Sequence, residues 1–266
     1  PVRTTMTSSA RRIRILICTP EVTELPSGMG NAANYIRAKG GGLGDITAGL
    51  INAISEDSRF ELHVALPRYE GKILHDFAQL SAQDLGRLVP SLRRHGVHLV
   101  ADSAFSSLRD IYSHSDVHPR IHRALAFQRH IINQLLDEIR PHIVHGNDWM
   151  TGLIAPAARS KGIKSIFTLH NVFSEFATPS TIDSAGIDVR QFLHALYFER
   201  FPDDSPGNWM HNKVDFCATG IFASDVVNTV SPSFLAEILG GAHAGIIPSN
   251  VRHALREKHA QGAVLG

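Results

Sequence analysis

The chain has 266 residues, 43% hydrophobic and 19% charged, a balance that suits a globular protein burying a sizeable core as one large α/β domain or two small ones. Its 26 basic and 25 acidic residues leave a formal charge of +1, which argues against nucleic acid or a membrane surface as partner and makes any anion site local. The two cysteines give no disulfide framework, the 16 histidines lack metal-ligand spacing, and no apolar stretch reaches the ~18 residues of a membrane span, so neither metal nor other cofactor is expected and the cytoplasm is the default location.

Residues 1–11 are polar and lack the apolar run of a secretory signal, and they are expected to be flexible. The first apolar run, Ile13 to Thr19 with Cys18, predicts a strand buried on both faces. Val22 to Ala38 follows and contains Pro26, Ser27, Gly28, Gly30, Asn31 and Asn34, so this segment should start irregularly, be exposed and lie at the rim of a site. Next come Lys39-Gly40-Gly41-Gly42-Leu43-Gly44-Asp45 and an apolar series at helical spacing, Ile46 to Ile54. Glycines at a helix entry let another molecule approach the amides closely, so this loop is a candidate phosphate cradle; it matches neither the P-loop nor the GxGxxG pattern.

Further strands are predicted at Leu62 to Leu66, Ile143 to Gly146, Ser165 to Leu169 and Val226 to Val230. Helices are predicted at Ile121 to Ile139, Gly152 to Arg159, Asp215 to Ala223, around Cys217, and Phe234 to Leu239. Val172 to Gly186 and Tyr197 to Asn212 are longer than ordinary connections, a mark of functional or mobile loops. The alternation of strand and helix predicts an α/β fold with a Rossmann-like, doubly wound parallel sheet in a three-layer α/β/α sandwich, read as one domain over residues 1–266. The histidines are expected mostly at the surface or at helix ends.

Ligands of open parallel sheets bind at the carboxyl ends of strands, where three polar groups stand: Glu21 with the glycine loop, Asn147-Asp148-Trp149, and His170-Asn171. Asp148 could instead cap the helix that contains Leu153, and His170-Asn171 could be a plain turn. Their convergence on one sheet edge favours a shared cleft.

The ordered series Lys39-Gly40-Gly41-Gly42-Leu43-Gly44-Asp45, Val144 through Leu153, Phe167-Thr168-Leu169-His170-Asn171 and Val230-Ser231-Pro232 resembles the signatures of bacterial glycogen synthases and plant starch synthases. The resemblance implies the N-terminal half of a GT-B glycosyltransferase, two Rossmann-like domains facing across a cleft, with Val251 to Ala263 as the helix before the interdomain hinge and a C-terminal donor-binding domain beyond this chain. It further implies retaining transfer of glucose from a nucleotide sugar, ADP-glucose or UDP-glucose, to the 4-hydroxyl of an α-1,4-glucan. Asp148, His170 and Asn171 would be the catalytic residues. Lys39, Gly41, Gly42, Gly44, Asp45, Glu21 and Trp149 would bind substrate. The chain departs from the family at Gly40, where threonine or valine is common, at Asn147, where histidine is common, at Ala218, where lysine is common, and in the insertion Val22 to Ala38. Related readings are another GT-B enzyme of the sucrose or trehalose-phosphate type and a non-catalytic glucan-binding or regulatory domain.

Overall fold

The computed structural model describes residues 12–30, 33, 36–69, 82–106, 108, 111, 116–203, 205–241 and 245–266. The expected flexible start, residues 1–11, lies outside them, as do Asn31 and Asn34. Seven parallel strands form one sheet in the order β3-β2-β1-β4-β5-β8-β9. They are β1 Ile13–Cys18, β2 Phe60–Pro67, β3 Val97–Val100, β4 Ile143–Asn147, β5 Lys164–Leu169, β8 Val226–Thr229 and β9 Val264–Leu265. β6 Phe176–Ala177 and β7 Val214–Asp215 pair antiparallel beside it. Leu16, Ile17, Val64, Leu66 and Phe167 are wholly enclosed, as continuous apolar strands sandwiched between helical layers must be. The α/β, Rossmann-like doubly wound architecture is therefore as the sequence predicts.

The predicted helices form with shifted ends. Helix α1 runs Gly42–Ser55, the long crossover helix starts at Val117 and reaches Ile139 through a wide turn at Ile131–Leu135, and the last long helix is Ser249–Ala260. Outside the predicted set lie the helices Ala82–Arg94, Ser103–Ser106, Pro179–Ser184 and Pro206–His211 and the short strands β3, β6, β7 and β9.

Several expectations are corrected. The segment 22–38 is tied down at its ends, where Val22 and Ala38 exchange backbone hydrogen bonds at 3.0 and 2.9 Å; among its described residues Val22, Leu25, Met29, Ala33, Ile36 and Ala38 are buried, while Glu24, Ser27, Gly28 and Arg37 are exposed as expected. From Val22 to Ile36 those apolar residues sit three or four apart between the polar turn formers, and their burial holds them to the fold. The connection Val172 to Gly186 contains β6 and the helix Pro179–Ser184, and Tyr197 to Asn212 contains the helix Pro206–His211. Among the described residues most histidines are exposed, as expected, and the buried exceptions are His98 and His145, with His63 Nδ1 3.1 Å from His98 Nε2. Both cysteines are buried, and burial pushes the Cys18 and Cys217 thiols up, so they pack as small apolar groups.

Candidate functional site

The strand order reverses between β1 and β4, so the connections leaving their carboxyl ends diverge and open a crevice at that point. Both chemistry-bearing motifs leave from there. After β1, Thr19 Oγ1 donates to the Glu21 carbonyl at 2.7 Å, and the wholly buried Glu21 carboxylate accepts the Gly41 amide at 2.7 Å together with the amide of Gly40. Gly44 packs closely, since a Cβ there would lie 3.3 Å from Thr23 N and Oγ1 and 3.4 Å from Glu21 Oε2, tighter than most such contacts. Asp45, in the first turn of α1, accepts from Lys39 Nζ at 2.9 and 2.7 Å and from Thr23 Oγ1 at 2.5 Å; the Lys39 hydrogen bond in particular holds its carboxyl below the usual range. Two donors of the predicted phosphate cradle, the Gly41 amide and Lys39, thus already serve carboxylates of the chain. Gly42 begins α1 with open space around it, and a helix N-terminus of 14 residues presents free amides and a positive dipole end there.

The second motif follows β4. Asp148 has φ 57° and ψ 179°, a conformation almost confined to glycine, which costs ~1–3 kcal/mol and persists only where the surroundings enforce it. The enforcing contacts are visible: its amide donates to the Thr168 carbonyl at 3.0 Å, and its carboxylate accepts the His170 amide at 2.8 Å and Asn171 Nδ2 at 2.6 Å. Asp148 makes no side-chain cap, and His170-Asn171 is not a plain turn; each motif is built on the other. Burial pushes the Asp148 carboxyl up to about 7, against the two backbone amides that favour its charge, and Glu21 adds to the rise. His170 Nε2 faces Asn147 Oδ1 at 2.9 Å, while Asn147 Nδ2 donates to the Cys18 carbonyl at 3.1 Å, so Nε2 carries the proton. Burial lowers His170 to about 4 and the imidazole is neutral near pH 7, with Nδ1 left as an acceptor that has no hydrogen-bond partner among the described residues.

Between the two motifs lies an open cleft of about 580 Å³, within the usual range for small-molecule sites. Of the sequence-predicted residues, Glu21, Gly41, Gly42, Asp45, His170 and Asn171 line it. Lys39 reaches it through Asp45, Gly44 packs beneath the loop, and Asp148 stands behind His170 and Asn171 with 3% of its surface exposed. Trp149 is buried and meets Phe173 edge-to-face at 5.7 Å. The sequence reading missed Leu43, Ile46 and Val230 in the lining and Thr23 as the link to Asp45. Ile46 and Val230 carried a signal, since Ile46 follows directly on the glycine motif and Val230 opens the motif Val230-Ser231-Pro232. Among the described residues no cluster of side chains is arranged to hold a metal ion.

A Rossmann-like domain with a glycine-loop helix entry and a strained buried acid at its topological switch point is the kind that handles phosphorylated ligands. The chain belongs to the starch synthase catalytic domain family, whose model matches residues 14–248. It is 26% identical over 217 residues to a glycogen synthase of Fusobacterium nucleatum, covering 75% of this chain and 44% of that protein. It is 29% identical over 259 residues to the glycogen synthase of Myxococcus xanthus, covering 84% and 49%. Among solved structures, the catalytic domain of starch synthase IV from Arabidopsis thaliana, bound to ADP and acarbose, superposes with a TM-score of 0.64 at 21% identity, over 96% of this chain and 51% of that one, and so shares the fold. The chain spans about half the length of the curated relatives it matches.

Proposed function

We propose that this domain works in retaining transfer of glucose from ADP-glucose or UDP-glucose to the non-reducing 4-hydroxyl of an α-1,4-glucan, together with a second, donor-binding domain. The observation that carries the reading is the cleft at the switch point, where the α1 N-terminus and the His170-Asn171 pair face one space in a chain of this family. The diphosphate would lie at Gly42 and Leu43, where the helix dipole and free amides offset the charge that grows on the departing nucleotide. Lys39, held 2.7 Å from Asp45, is placed to exchange that carboxylate for a phosphate oxygen, and the Glu21 clamp on Gly40 and Gly41 keeps the loop in shape. The neutral His170 offers the glucosyl unit a hydrogen-bonding partner without a competing charge, and Asp148 fixes the His170 and Asn171 backbone. Binding of the ADP and acarbose reported for the Arabidopsis relative fits a nucleotide and a glucan analogue sharing such a cleft.

The test is a donor screen on the full-length protein. Release of ADP or UDP that depends on added glycogen, with labelled glucose entering the polymer, supports the reading and names the donor. Maltooligosaccharide binding without release from either donor would leave a non-catalytic glucan-binding domain instead.

A further inference from the structure

Phe173 follows Asn171 by two residues and leaves 48% of its surface open, although its ring is held from two sides. Its amide donates to Asn171 Oδ1 at 2.8 Å, which ties the backbone to the residue that lines the cleft. The ring meets buried Trp149 edge-to-face, with centroids 5.7 Å apart at 68°, and the Arg120 guanidinium carbon stands 5.8 Å from its centroid. Arg120 is itself fixed, with Nε and Nη2 at 2.7 and 2.6 Å from Oε1 of the buried Glu175. Trp149 and Arg120 thus hold the ring in place, and about half of its surface stays open to solvent. A pyranose ring presents weakly positive C–H groups on one face, and these complement the negative face of an aromatic ring. The Arg120 charge is already matched by Glu175, so the spot favours a neutral sugar over a phosphate.

We propose that Phe173 is a stacking platform for a glucosyl unit of the glucan acceptor, a specificity-determining residue beside the cleft. The proposal rests on the transfer reading above. In the full-length protein, Phe173→Ala should weaken maltoheptaose binding, measured by titration calorimetry, about tenfold, the size of one aromatic contact. It should raise the KM for glycogen to a similar extent while leaving kcat and the affinity for the nucleotide sugar unchanged. Phe173→Trp, which keeps a stacking face, should bind maltoheptaose within a few-fold of wild type. Unchanged maltoheptaose affinity in Phe173→Ala would overturn the platform and leave glucosyl transfer standing. A parallel loss of donor affinity would overturn it as well, by showing that the ring merely supports the cleft. If wild type transfers no glucose the transfer reading fails by itself, and the maltoheptaose titrations still decide the platform.

Discussion

Asp148 concentrates the chemistry of the site in one residue, because its backbone is strained, its carboxyl is desolvated and its hydrogen bonds shape the neighbouring motif. On the proposed function, Asp148→Asn and His170→Ala should each lower kcat/KM at least ~10²-fold, as loss of one positioned polar group typically does, with the circular dichroism of the fold retained. The same residue makes a prediction about pH. Burial raises Asp148 from 3.8 to about 7, so as pH falls through 7 toward 4 the folded chain takes up a proton before the unfolded chain does, and this group adds stability on acidification. His98, His145 and His170 run the other way, lowered by burial from 6.5 to about 3, 4 and 4. The stability they contribute is complete above pH 6.5 and is lost as pH falls toward those folded values, because the unfolded chain protonates first. Burial also lowers His63 and His130 and raises Asp215, so five imidazoles outweigh two carboxyls and the protein should lose stability between pH 6.5 and 4. Asp148→Asn deletes its share of the opposing proton uptake and should steepen that loss. Urea midpoints at pH 8, 6 and 5 check this, and parallel curves for the two proteins would mean that Asp148 is not raised.

Among the elements, the glycines report how tightly the site is supported. A Cβ on Gly152 would stand 1.8 Å from the Phe216 carbonyl, backbone against backbone, so Gly152→Ala must push the helix Phe216–Ala223 away from the turn that carries Asp148. We expect a loss of ~3 kcal/mol or more by denaturant unfolding, in the range of overpacked cores. Gly49→Ala, at an exposed position of α1 with nothing within 4 Å, should gain ~0.5–1 kcal/mol from helix propensity alone. Leu25→Ala in the segment 22–38 should cost ~2–5 kcal/mol, because that side chain is core rather than loop; a change within 0.5 kcal/mol would restore the exposed-loop expectation. These elements also mark where the sequence was readable. β1, β4 and β5 are short segments centred on apolar pairs or runs (Ile15 to Cys18, Ile143-Val144, Ile166-Phe167), the pattern of strands covered on both faces. β3 escaped because four residues interrupted by His98 make too short a pattern, whereas Ala82–Arg94 was legible and overlooked: Leu85, Leu88, Val89 and Leu92 keep helical spacing despite Pro90. The Asp148 carboxylate could be read as a cap or as a site acid, since a positive φ leaves no trace in residue type and only the backbone decides between the two.

At the scale of the molecule, the cleft is open along one side, and two of its apolar residues, Ile46 and Val230, are 51% and 39% exposed. A nucleotide sugar binds well when most of its surface is enclosed, and a cleft walled by one domain alone cannot enclose it. The first and last groups of the cleft, the α1 N-terminus and the His170-Asn171 pair, meet a diphosphate and a sugar but offer the nucleobase no wall. On the proposed function, the remaining contacts come from a second domain closing over this one, which would also cover Ile46 and Val230 and exclude water from the reacting bond. Residues 1–266 alone should therefore release no ADP or UDP above the hydrolysis background, yet should still bind maltoheptaose weakly through the sugar-facing wall. Calorimetry and a coupled nucleotide-release assay on this chain check both halves of that expectation. Robust glycogen-dependent turnover by the 266 residues would show that the open cleft is already a complete active site.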